Sequence, residues 1–451
     1  MSRILLISSN LDTVPYPVYP LGMAMIAGAL HAQGHDVQQW DALADGKHGT
    51  LKLADAITTF QPEYIGISLR NIDDEDSLSD GSRWALDAVK ALIQTIRTYS
   101  SAPVILGGAG FTVMPERILA YVGANYGIRG EGDAAFPALI ARLTDKQPCP
   151  PLSSSPQPLQ GSQYARPLRV KRLVDFYMAE SGMLNLQTKR GCPHHCTYCS
   201  YPVLEGRSFR HYDFESVVDE IAFTKREYGV GTYFFTDSVF NDSEEAYLHF
   251  AEQLIERECT IRWAAFFRPQ ALSRSTFALL KRAGLYAVEF GTDATSDATL
   301  RGLAKGFTID DVQNANDNCR AEGLPCAHYV IFGGPGETDT TVIEGLENIS
   351  ALEQSVVFAF CGIRILPHTP IRQRAIQEGI ITDATDLLRP HYYFSPEVDQ
   401  AAMHQRIQDA FQGMRTRIYP PSAGQEKLAV MRRFGFTGLL WDQLLTMRRQ
   451  A

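Results

Sequence analysis

Lys189-Arg-Gly-Cys192-Pro-His-His-Cys196-Thr-Tyr-Cys199-Ser is the segment on which the reading of this chain turns. It follows an apolar run, Leu184–Thr188, that reads as a strand, so its three cysteines occupy a loop at a strand end. Thiolates are iron–sulfur ligands. Three on one loop can hold three irons of a cubane cluster and leave the fourth open to a small molecule. A tetrahedral zinc site would want a fourth ligand, which His194 or His195 could supply. Buried, unreactive thiols are the third reading. The C-x3-C-x2-C spacing at a strand end favours the cluster.

On either side of this loop, strands alternate with helices. Downstream, the strand patterns are Leu184–Thr188, Thr232–Thr236, Arg262–Phe267, Ala287–Phe290, His328–Phe332 and Phe358–Ile365. Six strands with helices between them predict an open (β/α)6 partial barrel, with its chemistry at the carboxyl ends of the strands. Upstream, Arg3–Ser8, Asp36–Trp40, Tyr64–Leu69 and Val104–Gly107 read as strands. Leu21–Gln33 (closed by Gly34), Leu51–Phe60 and Ser82–Tyr99 read as helices. That alternation predicts an α/β, doubly wound parallel sheet whose ligand loops follow Ser8, Ser68 and Gly107. From Pro148 to Pro167, six prolines and a Ser-Ser-Ser run mark a connector. The expected domains are 1–145, a linker 146–180, a barrel 181–370 and a small, mostly helical C-terminal region 371–451.

Composition narrows the class. Of 451 residues, 45% are hydrophobic and 21% charged, the balance of a globular chain. A net charge of -9 speaks against a nucleic-acid binder, although seven Lys or Arg against two acids follow from Arg415 onward. There is no apolar run of about eighteen residues, so no membrane span is expected. Eight sparse cysteines suit a reducing, cytoplasmic setting. His31 and His35 are split by Gly34 and form no metal pair, and Asp73-Asp74-Glu75-Asp76 reads as a solvated loop.

The cysteine loop closely resembles that of radical S-adenosylmethionine (SAM) enzymes. Tyr198 stands where that family has an aromatic residue. Thr232-Tyr-Phe-Phe-Thr-Asp237-Ser238 is similar to the strand whose end meets the amino group of SAM, with Thr-Asp-Ser in place of the common Gly-Gly-Glu. Val288-Glu289-Phe-Gly-Thr-Asp293 resembles the strand that contacts its ribose and methionyl parts. Gly333-Gly-Pro335-Gly336-Glu-Thr resembles the turn near its adenine. Residues 1–145 resemble the cobalamin-binding domain that precedes the barrel in one branch of the family. The similarity lies in Pro20-Leu-Gly22, Ser68-Leu-Arg70-Asn71-Ile-Asp73, Gly107-Gly108-Ala-Gly110 and Gly130-Glu131-Gly-Asp133. The loop Ser9–Pro17 holds Pro15, Tyr16 and Pro17 but no histidine, so it lacks the Asp-x-His-x-x-Gly that ligates cobalt elsewhere.

The resemblance implies three cofactors: a 4Fe–4S cluster on Cys192, Cys196 and Cys199, SAM, and cobalamin. For SAM it implies contacts with Tyr198, Asp237, Ser238, Glu289, Asp293, Gly333, Pro335 and Gly336. For cobalamin it implies contacts with Tyr16, Ser68, Arg70, Asn71, Gly107, Gly108, Gly110 and Glu131, with Tyr16 filling space beneath the ring. The implied reaction is methylation of an unactivated carbon, or of a phosphinate phosphorus, in a small molecule or natural-product intermediate. Ring formation or rearrangement is the second enzyme reading; an iron–sulfur electron-transfer or sensor protein is the reading from another class. A reductant such as flavodoxin or ferredoxin is the implied protein partner.

Overall fold

Ile4, Leu5, Leu6 and Ile7 are all buried, which requires that both faces of their strand be covered. They belong to β1 (Arg3–Ser8), an inner strand of a parallel sheet. Its other strands are β2 (Asp36–Asp41), β3 (Tyr64–Ser68), β4 (Val104–Gly107), β5 (Tyr126–Arg129) and β6 (Leu152–Ser154), in the order β2-β1-β3-β4-β5-β6. The structure is a computed structural model that describes residues 1–47, 52–79, 84–155 and 157–446. Helix Leu21–Ala32 ends just before Gly34, as its sequence suggests, and the other two expected helices run over Leu53–Phe60 and Ala85–Tyr99. The starts proposed for those two, Leu51 and Ser82, lie outside the described residues. β6 and helix Lys171–Ser181 both fall in the stretch that reads as a linker.

The second sheet begins at β7 (Leu184–Leu186). A ribbon of β8 (Lys189–Arg190) against β9 (Arg210–His211) then closes the base of the cysteine loop. The barrel continues with β10 (Thr232–Phe235), β11 (Arg262–Phe267), β12 (Leu285–Asp293), β13 (Cys326–Phe332) and β14 (Ser355–Cys361). These strands pair in parallel and in chain order, which gives the expected (β/α)6 partial barrel. The stretch read as one strand, Phe358–Ile365, divides instead. After β14, β15 (Ile363–Arg364) pairs antiparallel with β16 (Tyr392–Tyr393). A seventh parallel strand, β17 (Arg417–Ile418), joins the edge at β14 from the C-terminal region, which is otherwise mostly helical. Among the described residues no helix is long and apolar enough to cross a membrane.

Three segments distant in sequence fill the barrel lumen. Ala264, Ala287, Ala327 and Val356 line its floor with small side chains, and Trp441 and Leu439 pack on them from the C-terminal tail. Tyr16 enters from the loop after β1, 6.0 Å from the Phe234 ring. The acidic run departs from its reading as a solvated loop. Asp73 and Asp76 are buried, and Asp73 pairs at 3.0 Å with Arg364, tying the first domain to the barrel's upper rim.

Candidate active site

The loop between β8 and β9 owes its path to Gly191, whose φ is +86° and whose missing Cβ would lie 2.0 Å from the Ser208 carbonyl oxygen. Only glycine suits both conditions. The Cys192 amide donates to the Gly206 carbonyl at 3.1 Å, and the Thr197 amide to Leu303 at 3.0 Å, so each end of the cysteine run is fixed. All three cysteines are free thiols. Among the described residues no three His, Cys, Asp or Glu side chains converge as one metal ion requires. A cubane spreads its thiolates around a larger body than a single metal ion does. Arg268, buried and bonded to Cys196, and Lys305 set positive charge beside the thiols, which suits an anionic cluster. Burial pushes the Cys199 thiol up to about 12 and the Cys192 thiol upward too, so cluster assembly must displace protons.

A cavity of about 690 Å³ opens between the carboxyl ends of the two sheets. Tyr198 and Cys199 face it from the barrel; Ser68, Arg70, Asn71 and Gly107 face it from the first domain. A Cβ on Gly107 would meet nothing nearer than 3.9 Å, so this residue leaves free room for a ligand. Gly108 and Gly110 also line the cavity, yet their missing side chains make room chiefly for the chain itself. Cβ atoms there would stand 2.4 Å from the Leu69 carbonyl oxygen and 3.0 Å from that of Arg70. Apolar side chains of Met23, Ile26 and Phe136 extend the cavity into the first domain. A large organic ligand fits such a lining better than a small ion does. Among the described residues no histidine lines the cavity.

Several expected contacts fall in this space and others do not. Tyr198 donates its hydroxyl to Asp293, which Lys305 also pairs with, and both Tyr198 and Asp293 line the cavity. Ser238 lies against the cysteine loop, donating to the Gly191 carbonyl at 3.0 Å. Asp237 faces away from the cavity. It is 1% exposed and accepts from the Thr188 amide at 2.7 Å, the Thr188 hydroxyl and Lys189, so it anchors the strand that leads into the loop. Glu289 points into the lumen, where its carboxylate accepts from the Trp441 indole at 2.8 Å and from Tyr329. Gly333, Pro335 and Gly336 form a turn behind the Lys305 loop, with the Pro335 carbonyl packed on Gly302. Tyr16 is in the lumen, not beneath a ring in the cavity, because its loop leaves the first domain to pack on Phe234. Glu131 lines the cavity but accepts from Arg210 and from the Leu159 amide.

Arg268, Lys305, Tyr329 and Arg364 complete the site without a sequence signal. Each is a lone polar residue in an ordinary segment, and only the fold brings it to the cavity or the thiols.

The class of protein is defined at this point. Residues 7–140 match the B12 binding domain family and residues 186–349 match the Radical SAM superfamily. The chain belongs to the radical SAM enzymes that carry a cobalamin-binding domain. It is 25% identical to a tryptophan 2-C-methyltransferase of Streptomyces laurentii, over 80% of this chain and 72% of that one. It is 24% identical to an anaerobic magnesium-protoporphyrin IX monomethyl ester cyclase of a Synechocystis species, over 78% and 71%. The fold matches that of the radical SAM methyltransferase TsrM from Kitasatospora setae, solved with tryptophan and a SAM analogue. The TM-score is 0.87 and the identity 22%, over 99% of this chain and 98% of that one.

Proposed function

We propose that this protein is a cobalamin-dependent radical SAM methyltransferase acting on an unactivated carbon, or a phosphinate phosphorus, of a small molecule. The observation that carries the reading is the shared cavity: Tyr198 and Cys199 open on the same space as Ser68 and Gly107. Bound there, a cluster and SAM supply radical chemistry and cobalamin supplies a methyl carrier. Cys192, Cys196 and Cys199 hold the cluster, with Arg268 and Lys305 offsetting its charge. Tyr198, Ser238 and Asp293 face SAM. Ser68, Arg70, Asn71 and Gly107 receive the corrin side, with Gly108, Gly110 and Glu131 shaping the wall behind them. The proposed setting is a reducing cytoplasm with a flavodoxin- or ferredoxin-type electron donor.

The test is anaerobic reconstitution with iron, sulfide and hydroxocobalamin, then incubation with SAM and a strong reductant. S-adenosylhomocysteine is the expected product. Only 5′-deoxyadenosine would favour ring formation or rearrangement. Neither product, from fully loaded protein, would leave the electron-transfer reading.

A further inference from the structure

Lumen-facing residues of the barrel alternate along each strand, as the pleat requires. Ala264 and Phe266 face inward on β11, Ala287 and Glu289 on β12, Ala327 and Tyr329 on β13, and Val356 and Phe358 on β14. The alanine layer seats Trp441. The layer above holds three aromatic rings and one carboxyl group. Glu289 is 1% exposed, no cation pairs with it among the described residues, and its donors are the Trp441 indole at 2.8 Å and the Tyr329 hydroxyl. An unpaired carboxyl in an apolar lumen is costly, and the packing alone does not call for one. Tyr329 has its ring stacked flat on Phe358, 5.3 Å away at 11°, and it lines the cavity. Phe360 and Tyr201 also line the cavity, and Phe266 is 39% exposed although it sits on a barrel strand.

We infer that Tyr329 anchors the substrate through its phenol oxygen, that Glu289 is the positioning residue behind it, and that the substrate is a flat, largely apolar ring bearing an N–H or O–H donor. The inference rests on the function proposed above only in placing substrate in this cavity. With Glu289 ionised, the Tyr329 proton is committed to the carboxylate, and the phenol oxygen is left facing the cavity as an acceptor. Aromatic walls favour a flat guest.

Burial raises the Glu289 carboxyl to about 7. The groups that face it are Tyr16 from the loop after β1, Tyr286 on its own strand, Tyr329 on β13, and Trp441 with nearby Asp442 from the tail. The phenols are all shifted upward, so they stay neutral through this range. The acceptor arrangement therefore holds above about pH 7 and is lost as Glu289 takes a proton below it.

Equilibrium binding to the reconstituted full-length protein, without SAM, tests this with 2-naphthol and its donor-free partner 2-methoxynaphthalene. At pH 8, 2-naphthol should bind roughly five- to tenfold more tightly, the discrimination of one hydrogen bond. That ratio should fall towards one at pH 6, and towards one at both pH values in Tyr329→Phe. Glu289→Gln, which keeps an acceptor for Trp441, should lose the pH dependence while its circular dichroism stays native. Undiminished discrimination in Tyr329→Phe, or no binding of either probe at millimolar concentration, would overturn the inference. Turnover of SAM is scored separately, so failure here leaves the methyltransferase reading standing.

Discussion

Arg190 donates to both carboxylate oxygens of Asp133, at 2.7 and 3.2 Å, with the two side chains 10% and 4% exposed. The pair joins the strand entering the cysteine loop to the turn after β5. Arg210 with Glu131 reinforces it from the other strand of the ribbon, and Tyr164 lies over the Arg190 guanidinium at 4.7 Å. A bidentate pair of this kind fixes orientation as well as distance. The cysteine loop is therefore positioned by the first domain, and the two halves of the site cannot shift independently.

Removing one partner should expose that coupling. Asp133→Ala leaves a buried guanidinium with Gln187 at 3.5 Å and Glu131 at 3.7 Å but no bidentate partner. A loss of about 3 kcal/mol is expected from urea unfolding. Iron bound after reconstitution should also drop, although no ligand has been touched. Full iron content and unchanged stability would show that the pair contributes nothing to the loop.

The cluster assignment has its own test. Wild type should hold about four irons per chain, and Cys192→Ala, Cys196→Ala or Cys199→Ala should each lose most of them. Gly191→Ala should resemble these variants for a different reason. A side chain there meets the Ser208 carbonyl and a left-handed backbone, at a cost of about 1–3 kcal/mol. Iron counting with electron paramagnetic resonance, with and without SAM, separates the cases. A Cys199→Ala protein that keeps a full, SAM-responsive cluster would refute the ligand set.

How much of this was legible in the sequence depends on how local each signal is. The cysteine loop reads directly because its three cysteines are seven residues apart at most and follow a strand. The barrel reads because period and spacing are properties of each segment. Tyr16 misleads because nothing in Pro15-Tyr16-Pro17 says that the loop leaves its own domain for the lumen. Asp237 misleads because the Thr188 and Lys189 groups that engage it come from the neighbouring strand's end. Glu289 alternates correctly, but Trp441, 152 positions away, decides what it meets. Asp73 and Arg364 are 291 positions apart, so their pairing is invisible to any window, and β17 is too short to register.

Glu337, in the turn behind the Lys305 loop, should make stability fall with pH. It is 3% exposed, and burial raises its carboxyl from 4.5 to about 7, despite donors in the Thr341 hydroxyl and the Gly333 amide. The native state thus keeps a proton that the unfolded chain releases. Its stabilisation is whole below about 4.5 and is lost as pH rises towards 7, by at most about 3 kcal/mol. Glu337→Gln should flatten that part of the wild-type profile in urea unfolding between pH 5 and pH 7.5. A variant profile parallel to wild type would mean that the residue does not titrate there.

The final prediction concerns the face of cobalamin turned towards the first domain. The loop after β1 has no histidine, and its Tyr16 is committed to the barrel lumen, so no imidazole from it can ligate cobalt. Among the described residues no histidine lines the cavity. Because cobalamin carries a dimethylbenzimidazole nitrogen of its own, the probe is cobinamide, which lacks that base. Bound cobinamide should give a cobalt(II) spectrum without nitrogen superhyperfine structure, and His31→Ala or His35→Ala should leave cobalamin uptake intact. Gly107 and Gly108 separate loss of the ligand from loss of the fold. A large side chain at Gly107 enters open space, so Gly107→Leu should block uptake while stability changes by less than about 1 kcal/mol. Gly108→Ala has φ +103° and a Cβ 2.4 Å from the Leu69 carbonyl oxygen, so it should destabilise the domain even without cobalamin. A nitrogen pattern in the spectrum would require a protein imidazole to reach the cavity. Normal uptake by Gly107→Leu would move the corrin site off β4 altogether.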